Sequence, residues 1–219
     1  MKEIKVRCTF TEEVLGTASG NPELHREFIA SKGPNATTIE EEVAALGEDA
    51  VEKKEMTVFA KDGDKPFLWD YQIKGFFKGA CKALQNASDK DPETGKKKAV
   101  NESGKLTAYK SKIDLGVFVT PRAIPFEFDG SMGVCQRPLR AQTAQGERIA
   151  LASSETVPAG AVIEFTVTVF NDNWIPLVRE WLNYGIWSGM GQWRNSGKGR
   201  FYWEELDENG NVIGGNAAA

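Results

Sequence analysis

The residues best suited to chemistry lie near the C-terminus, in the stretch SGMGQWRNSGKGRF at residues 188–201. Glycines surround an aromatic residue and two cations in this stretch: Gly189, Gly191, Gly197 and Gly199 flank Trp193, Arg194 and Lys198. Glycine loses the most backbone freedom on folding. This density therefore indicates either turns that need positive φ or close approach of another molecule to the main chain.

A glycine-rich loop of this kind can turn several backbone N–H groups toward one anion. Arg194 and Lys198 would add positive charge beside such a site, and a nucleobase stacked on Trp193 would contribute about 1–3 kcal/mol. The stretch therefore predicts a nucleic-acid contact, with a purely structural connector as the alternative. It is not a nucleotide-binding P-loop, because the spacing GxxxxGK[ST] is missing.

Two further groups of residues are candidates for contact with nucleic acid. Lys74, Gly75 and Lys78 lie in an apolar-periodic segment, where the lysines would reach phosphates and the glycine would permit close approach. Arg137 and Arg140 flank a proline in a polar stretch and would clamp a strand backbone. Solvated surface charge, and for Gly75 internal packing, are the alternatives.

The sequence assigns no catalytic residue, no metal ligand and no cofactor. His25 is the only histidine, so a histidine pair for general acid–base cleavage of RNA is excluded. The three cysteines are widely spaced and form no CxxC pair, which predicts free thiols and neither a zinc site nor a disulfide framework.

Composition limits the possible partners. The net charge of −4 excludes a globally basic nucleic-acid binder, yet residues 174–203 hold four basic residues and one acid, so a local basic surface remains. The chain has no run of 18 apolar residues and no N-terminal apolar segment. These features predict a protein of the cytoplasm with no membrane partner.

Hydrophobic periodicity predicts the elements that position these residues. Alternation of apolar and polar residues predicts strands, and apolar residues at three- and four-residue steps predict helices. The predicted strands cover residues 2–10, 56–59, 113–121, 161–170 and 200–206. The predicted helices cover residues 22–30, 38–46, 69–84 and 175–187. On the second long helix, Trp174, Trp181 and Trp187 are expected to pack in the core.

The order of the main elements is strand, helix, strand, strand, helix, strand. This order predicts an α+β fold with a ferredoxin-like or RNA-recognition-motif-like βαββαβ core. One face of its sheet would carry two helices, and the other face would be open to a ligand. Residues 1–206 would form one domain with large insertions at about 20–65, 86–110 and 126–152. Residues 126–148 are expected to be irregular, and residues 207–219 a flexible tail.

Four segments in a fixed order resemble the RAMP superfamily of CRISPR-associated proteins, especially the backbone subunits that bind guide RNA. These are LGTASG at 15–20, PFLWDYQIKGFFKGACKAL at 66–84, SSETVPAGAVIEFTVTV at 153–169, and the glycine loop at 189–201. Together they cover about a third of the chain. Lys74 and Gly75 match the Lys-Gly step of the family's first helix, but LWDYQI precedes them in place of the family's proline and serines.

The resemblance implies a protein that binds single-stranded nucleic acid, with RNA favoured over DNA, and that forms a homo-oligomer or filament without catalysis. Residues 136–148 sit where the family has its thumb. Two other functions stay open. One is a RAMP endoribonuclease that uses a loop carboxylate with a metal ion, or lysine and tyrosine in place of histidine. The other is a virus-encoded protein that mimics or inhibits part of a CRISPR effector complex.

Overall fold

The computed structural model describes residues 1–19, 56–87, 89–90, 93–94, 97–143 and 146–216. Within them the chain is a mixed α+β protein with four α-helices and several sheets whose strand pairs are almost all antiparallel. The helices are α1 (Asp70–Asn86), α2 (Glu102–Lys105), α3 (Tyr109–Gly116) and α4 (Ile175–Asn183). The helices predicted at residues 22–30 and 38–46 lie outside the described residues.

Fifteen strands are described. Those of the first sheet are β1 (Lys2–Phe10), β9 (Val117–Thr120), β13 (Val162–Val169), β14 (Phe201–Leu206) and β15 (Val212–Gly215). The others are β2 (Val14–Leu15), β3 (Ala18–Ser19), β4 (Thr57–Val58), β5 (Ala60–Asp62), β6 (Lys65–Trp69), β7 (Asp89–Lys90), β8 (Lys97–Lys98), β10 (Ala123–Pro125), β11 (Gly133–Thr143) and β12 (Gly146–Val157).

The first sheet has the strand order β15–β14–β1–β13–β9. Cys8 at its centre faces Ile163 on one neighbouring strand and Trp203 on the other. Burial alternates along β13, as expected for a strand with one covered face. Helices α1 and α4 cover that face: Phe77 lies 5.6 Å from Trp181, measured between ring centroids.

Helix α1 begins where the sequence predicts. Gln72 accepts a hydrogen bond from the backbone N–H of Trp69 at 2.7 Å, which satisfies one free donor at the helix start. The buried side of the helix carries the predicted apolar residues: Ile73, Phe76, Phe77, Ala80 and Cys81. Its packing against the sheet therefore fixes which residues remain on the exposed side.

Three sequence predictions are wrong in part. The strand predicted at 113–121 is helix α3 up to Gly116 and becomes a strand only at Val117. The stretch 126–148, predicted to be irregular, contains β11 and the start of β12, which pair over their whole length as a hairpin. The predicted tail is a strand over Val212–Gly215 and pairs with β14, while residues 217–219 lie outside the described part.

Most of the other predicted elements are confirmed, but the strand predicted at 56–59 is interrupted at Phe59, between β4 and β5. The strands predicted at 2–10, 161–170 and 200–206 and the helix at 69–84 all form, with ends shifted by at most two residues. The helix predicted at 175–187 ends at Asn183 and is followed by a short 3-10 turn. All three cysteines are free; Cys8 and Cys81 are buried and Cys135 is half-buried.

Candidate nucleic-acid interface

The glycine loop folds back on itself between α4 and β14. The backbone N–H of Met190 donates to the carbonyl of Gly199 at 2.9 Å. A Cβ at Gly189 would lie 1.9 Å from the carbonyl carbon of Gly199, and a Cβ at Gly199 would lie 1.9 Å from the Met190 oxygen. Gly189 and Gly199 are therefore required by the contact between the two ends of the loop.

The other two glycines of the loop also have internal reasons. Gly191 has φ +83°, and a Cβ there would lie 2.8 Å from the backbone oxygen of Leu15. Gly197 has φ +90° and ends the 3-10 turn Arg194–Ser196. Such backbone angles favour glycine. The four glycines consequently shape the loop, and a ligand is not needed to explain them.

Lys198 forms a salt bridge that connects the loop to the segment following β1. Its Nζ lies 2.5 Å from the carboxylate of Glu13, and the backbone N–H of Gly199 donates to the Glu13 carbonyl at 2.9 Å. The hydrogen bond to Glu13 raises the pKa of Lys198. The charge of Lys198 is therefore already compensated within the chain.

Trp193 and Arg137, both predicted from sequence, meet in space. The guanidinium carbon of Arg137, on β11, lies 5.2 Å from the centroid of the Trp193 ring, within the range of a cation–π contact. Arg137 also donates from Nη2 to Gln192 Oε1 at 3.2 Å. Its Nε is buried and has no hydrogen-bond partner among the described residues. The hairpin β11–β12 thus brings a cation to the loop from a distant part of the sequence.

A cleft with a volume of about 790 Å³ opens between the loop, α1 and the end of α4. Its lining combines aromatic, small and cationic residues: Phe76, Gly79, Ala80, Tyr184, Trp187, Ser188, Gly191, Gln192, Trp193, Arg194, Asn195 and Arg200. No acid is among these lining residues, so the cleft favours an anion. The Nε of Arg200 is buried and has no hydrogen-bond partner among the described residues.

Trp187, Arg200 and Gly79 are cleft residues that sequence reasoning missed. Trp187 was assigned to the core from its helical spacing, and that prediction is wrong: α4 ends at Asn183, and the side chain of Trp187 is 68% exposed. Arg200 lies at the end of the loop, just before β14. Gly79 lies four residues after Gly75, so it shares the exposed side of α1. That spacing was a signal the sequence offered for Gly79.

Lys74 and Lys78 lie on the side of α1 that faces α3. Lys74 Nζ donates to the carbonyl of Asp114 at 3.0 Å, and Lys78 Nζ lies 2.5 Å from the Asp114 carboxylate. Burial lowers the pKa of Lys74. Both lysines would have to exchange a partner within the chain for a phosphate. Neither lines the cleft.

Gly75 differs from the loop glycines because nothing in the described chain explains it. No atom lies within 4 Å of a Cβ built at this position, and its φ is not positive. Gly79 is similar: its added Cβ would meet only Arg194 Nη1, at an ordinary contact distance of 3.6 Å. Arg140, the last predicted residue, lies in β11 opposite Ile149.

The open face of the first sheet is less suited to nucleic acid than expected. Phe201 and Trp203 point into the core, so Tyr202, which is half-buried, is the only aromatic residue of β14 on the open face. Arg7 on this face is held by Glu164 at 2.7 Å and faces Glu204 at 3.7 Å. Two carboxylates beside one cation disfavour a polyanion.

Other classes of site find no support in the part of the chain that the structure describes. No cluster of three or more histidine, cysteine or acidic side chains there could hold a metal ion. The acids of the early insertion, considered as candidates for metal-dependent cleavage, lie outside the described residues. No described helix is long and apolar enough to cross a membrane.

Comparisons with known proteins show similarity to solved structures. No model of a known protein family matches the chain, and no curated protein matches it. The chain is similar to a chain in the cryo-EM structure of the Type III-B Cmr-beta bound to cognate target RNA, with 12% identity and a TM-score of 0.43. The alignment covers 94% of this chain and 60% of that one.

Proposed function

We propose that the chain binds single-stranded nucleic acid, with RNA preferred over DNA, in the cleft between α1 and the glycine loop. The observation that carries this proposal is the content of the cleft. Arg194 and Arg200 line it, Arg137 adjoins it through Trp193, and no acid is among its lining residues. Trp187 offers a largely exposed ring. Cations for the phosphates and flat rings for the bases are the two requirements for holding a single strand.

The fold supports the same proposal. The strand order β14–β1–β13–β9, with α1 and α4 on one face, is the arrangement expected of a ferredoxin-like core. We infer that the chain is a RAMP-like protein built on this core, and that the hairpin β11–β12 serves as its thumb. The preference for RNA rests on the four sequence segments that resemble the RAMP superfamily.

The predicted contact residues take different parts in this proposal. Arg137 and Arg194 contact phosphates directly, and Arg140, three residues after Arg137 in β11, is a further proposed contact on the hairpin. Lys74, Lys78 and Lys198 contact phosphate only by releasing their carboxylate or carbonyl partners. The loop glycines hold the backbone in place, and Gly75 leaves room for the strand. The chain binds without cutting, and successive copies along one strand form a filament.

Binding is tested by fluorescence anisotropy with a labelled RNA of about 16 nucleotides, the upper end of the site sizes of single-strand-binding folds. The double variant Arg194→Ala, Arg200→Ala is expected to weaken binding equally across sequences. Lys110→Ala is the control, because it removes an exposed cation on α3, outside the cleft. Equal affinities for the wild type and the double variant would contradict the proposal. The same RNA, recovered intact with and without magnesium, would separate binding from cleavage.

A further inference from the structure

A second aromatic and cationic cluster lies at the start of α1, away from the cleft. The rings of Trp69 and Tyr71 are nearly parallel, with an interplanar angle of 15° and centroids 6.3 Å apart. The guanidinium carbon of Arg122 lies 5.6 Å from the centroid of the Trp69 ring. We refer to Trp69, Tyr71 and Arg122 as the stacking platform.

The backbone around the platform is fixed by short hydrogen bonds. The N–H of Asp70 donates to the carbonyl of Arg122 at 2.9 Å. This bond joins the start of α1 to the residue that precedes β10. Gln72 accepts from the N–H of Trp69 and donates to Thr17 Oγ1, both at 2.7 Å. The Trp69 ring also meets the buried ring of Phe67 edge-to-face, at 4.7 Å. The platform is therefore held in place before any ligand arrives.

Packing within the described chain does not account for the exposed part of the platform. The side chain of Tyr71 is 58% exposed. Arg122 is exposed, and no carboxylate among the described residues lies within salt-bridge distance of it. The nearby Asp70 carboxylate is occupied at the helix start, where it accepts from the N–H of Tyr71 at 2.9 Å. An exposed ring and an unpaired guanidinium that both contact Trp69 are suited to a nucleobase with its phosphate.

The exposed side of α1 connects the platform to the cleft. Tyr71, Gly75 and Gly79 follow one another at four-residue steps, so they lie along one line of the helix. At 1.5 Å per residue, Tyr71 and Gly79 are separated by about 12 Å along the axis. Gly79 lines the cleft beside Arg194, and Gly75 presents no side chain between the two ends.

We propose that the stacking platform is a second subsite for the strand held in the cleft, where one nucleobase stacks on Tyr71 and the adjoining phosphate meets Arg122. This inference rests on the proposed function, because the same strand must occupy the cleft. It adds a defined position at which a base is held, at the opposite end of the α1 surface. Since every base has a flat face, the subsite accepts all four bases.

The test combines variants of Tyr71 with an abasic scan of the RNA. Anisotropy is measured for a set of RNAs of about 16 nucleotides, each lacking the base at one position. In the wild type, loss of the base is expected to weaken binding at one or two positions of the RNA besides those that lie in the cleft. Tyr71→Ala should weaken binding of the intact RNA roughly 5- to 150-fold, the range of a lost base stack. Those same positions should then become insensitive to loss of the base.

Two variants serve as matched controls. Tyr71→Phe keeps the ring and removes only the hydroxyl, so it should retain both the affinity and the abasic pattern. Phe170→Ala removes an equally exposed ring elsewhere, since Phe170 is 59% exposed and packs on Phe118. Phe170→Ala should change neither the affinity for the intact RNA nor the abasic pattern.

The outcomes separate this inference from the proposed function. If the wild type and Tyr71→Ala bind intact RNA equally, or show the same abasic pattern, the platform is not a subsite although the cleft binds. If the wild type binds no single strand, both proposals fail together. If Tyr71→Ala also lowers the melting temperature, the abasic patterns of Tyr71→Phe and of the milder variant Tyr71→Leu decide whether the ring stacks on a base. Loss of the pattern in Leu but not in Phe supports stacking.

Discussion

Replacing Gly75 and Gly79 by alanine should stabilise the protein and weaken its binding of nucleic acid. Both glycines lie inside a 17-residue helix, on its exposed side. Glycine is about 0.8–1.0 kcal/mol less favourable than alanine in a helix interior. A Cβ at Gly75 meets nothing within 4 Å, and one at Gly79 makes a single ordinary contact. The added methyl groups therefore cost no packing within the described chain.

The expected gain in stability is about 1 kcal/mol for each substitution and about 2 kcal/mol for both. For a chain of this size, 1 kcal/mol raises the melting temperature by about 2–4 °C, so the double variant should melt about 4–8 °C higher. The expected loss of affinity has another origin. Each methyl group holds the strand away from the helix, and each hydrogen bond lost at the interface weakens binding about 2- to 13-fold.

Calorimetry and anisotropy on the same preparations provide the assay. Ser111→Ala, at an exposed position of α3, is the control because it also raises helix propensity without changing charge. It should stabilise slightly and leave affinity unchanged. Higher melting temperature with unchanged affinity in the double glycine variant would refute the view that a strand lies on this side of α1. A lower melting temperature would refute the view that the two positions are free of internal packing.

Three further predictions concern the cleft, the loop and the assembly. Arg194→Ala and Arg200→Ala should each reduce the slope of log affinity against log salt by about 0.7, the value for one phosphate contact on a single strand; an unchanged slope in a folded variant would exclude that contact. Lys198→Met should lower the melting temperature and leave the salt slope almost unchanged, because Lys198 is bound to Glu13; a slope reduced as much as in Arg194→Ala would instead make Lys198 a phosphate ligand. The mass measured by light scattering should rise stepwise on RNAs of about 16, 32 and 48 nucleotides, multiples of one site size, since head-to-tail contacts permit filaments; a single bound copy on the longest RNA would argue against assembly.

The parts of the fold that could be predicted are those whose hydrophobic pattern reflects one buried face. Strand β13 and helix α1 are clear cases, because each packs directly on the core and repeats its apolar residues at the period of its secondary structure. Helix α3 was not predicted, because its apolar residues also follow the two-residue period of a strand. Ile113 and Leu115 continue the two-residue alternation of Val117 and Val119, although the chain is helical until Gly116.

The hairpin β11–β12 carried no such pattern. Its first strand is the edge of its sheet and contains Pro138, which is tolerated at an edge because no further strand needs its missing N–H. Polar residues dominate the middle of the hairpin, so alternation gives no signal there. The strand β11 is stabilised by its pairing with β12, and local periodicity does not predict such pairing.

For the candidate site, the residue types could be predicted from the sequence but their grouping in space could not. The types of Arg137, Trp193 and Arg194 pointed to contact with an anion and a base, and all three lie at or beside the cleft. Their grouping depends on the hairpin, which the sequence did not predict. The reason for the loop glycines was open at the level of sequence. In the structure, backbone atoms of the loop and of Leu15 occupy the space that side chains at Gly189, Gly191 and Gly199 would need, and Gly197 has a positive φ.

The glycines of α1 and those of the loop consequently have opposite implications. In the loop, Gly189 and Gly199 are required by contacts within the chain, so their presence says little about a ligand. On α1, the buried side anchors the helix through Ile73, Phe76 and Phe77, and this packing rather than intrinsic propensity stabilises it. The helix can therefore carry two unfavourable residues on its exposed side. No described atom lies in the space above Gly75, and only Arg194 Nη1 lies near the space above Gly79, so the nucleic-acid strand that we propose would fit there beside the cations of the cleft.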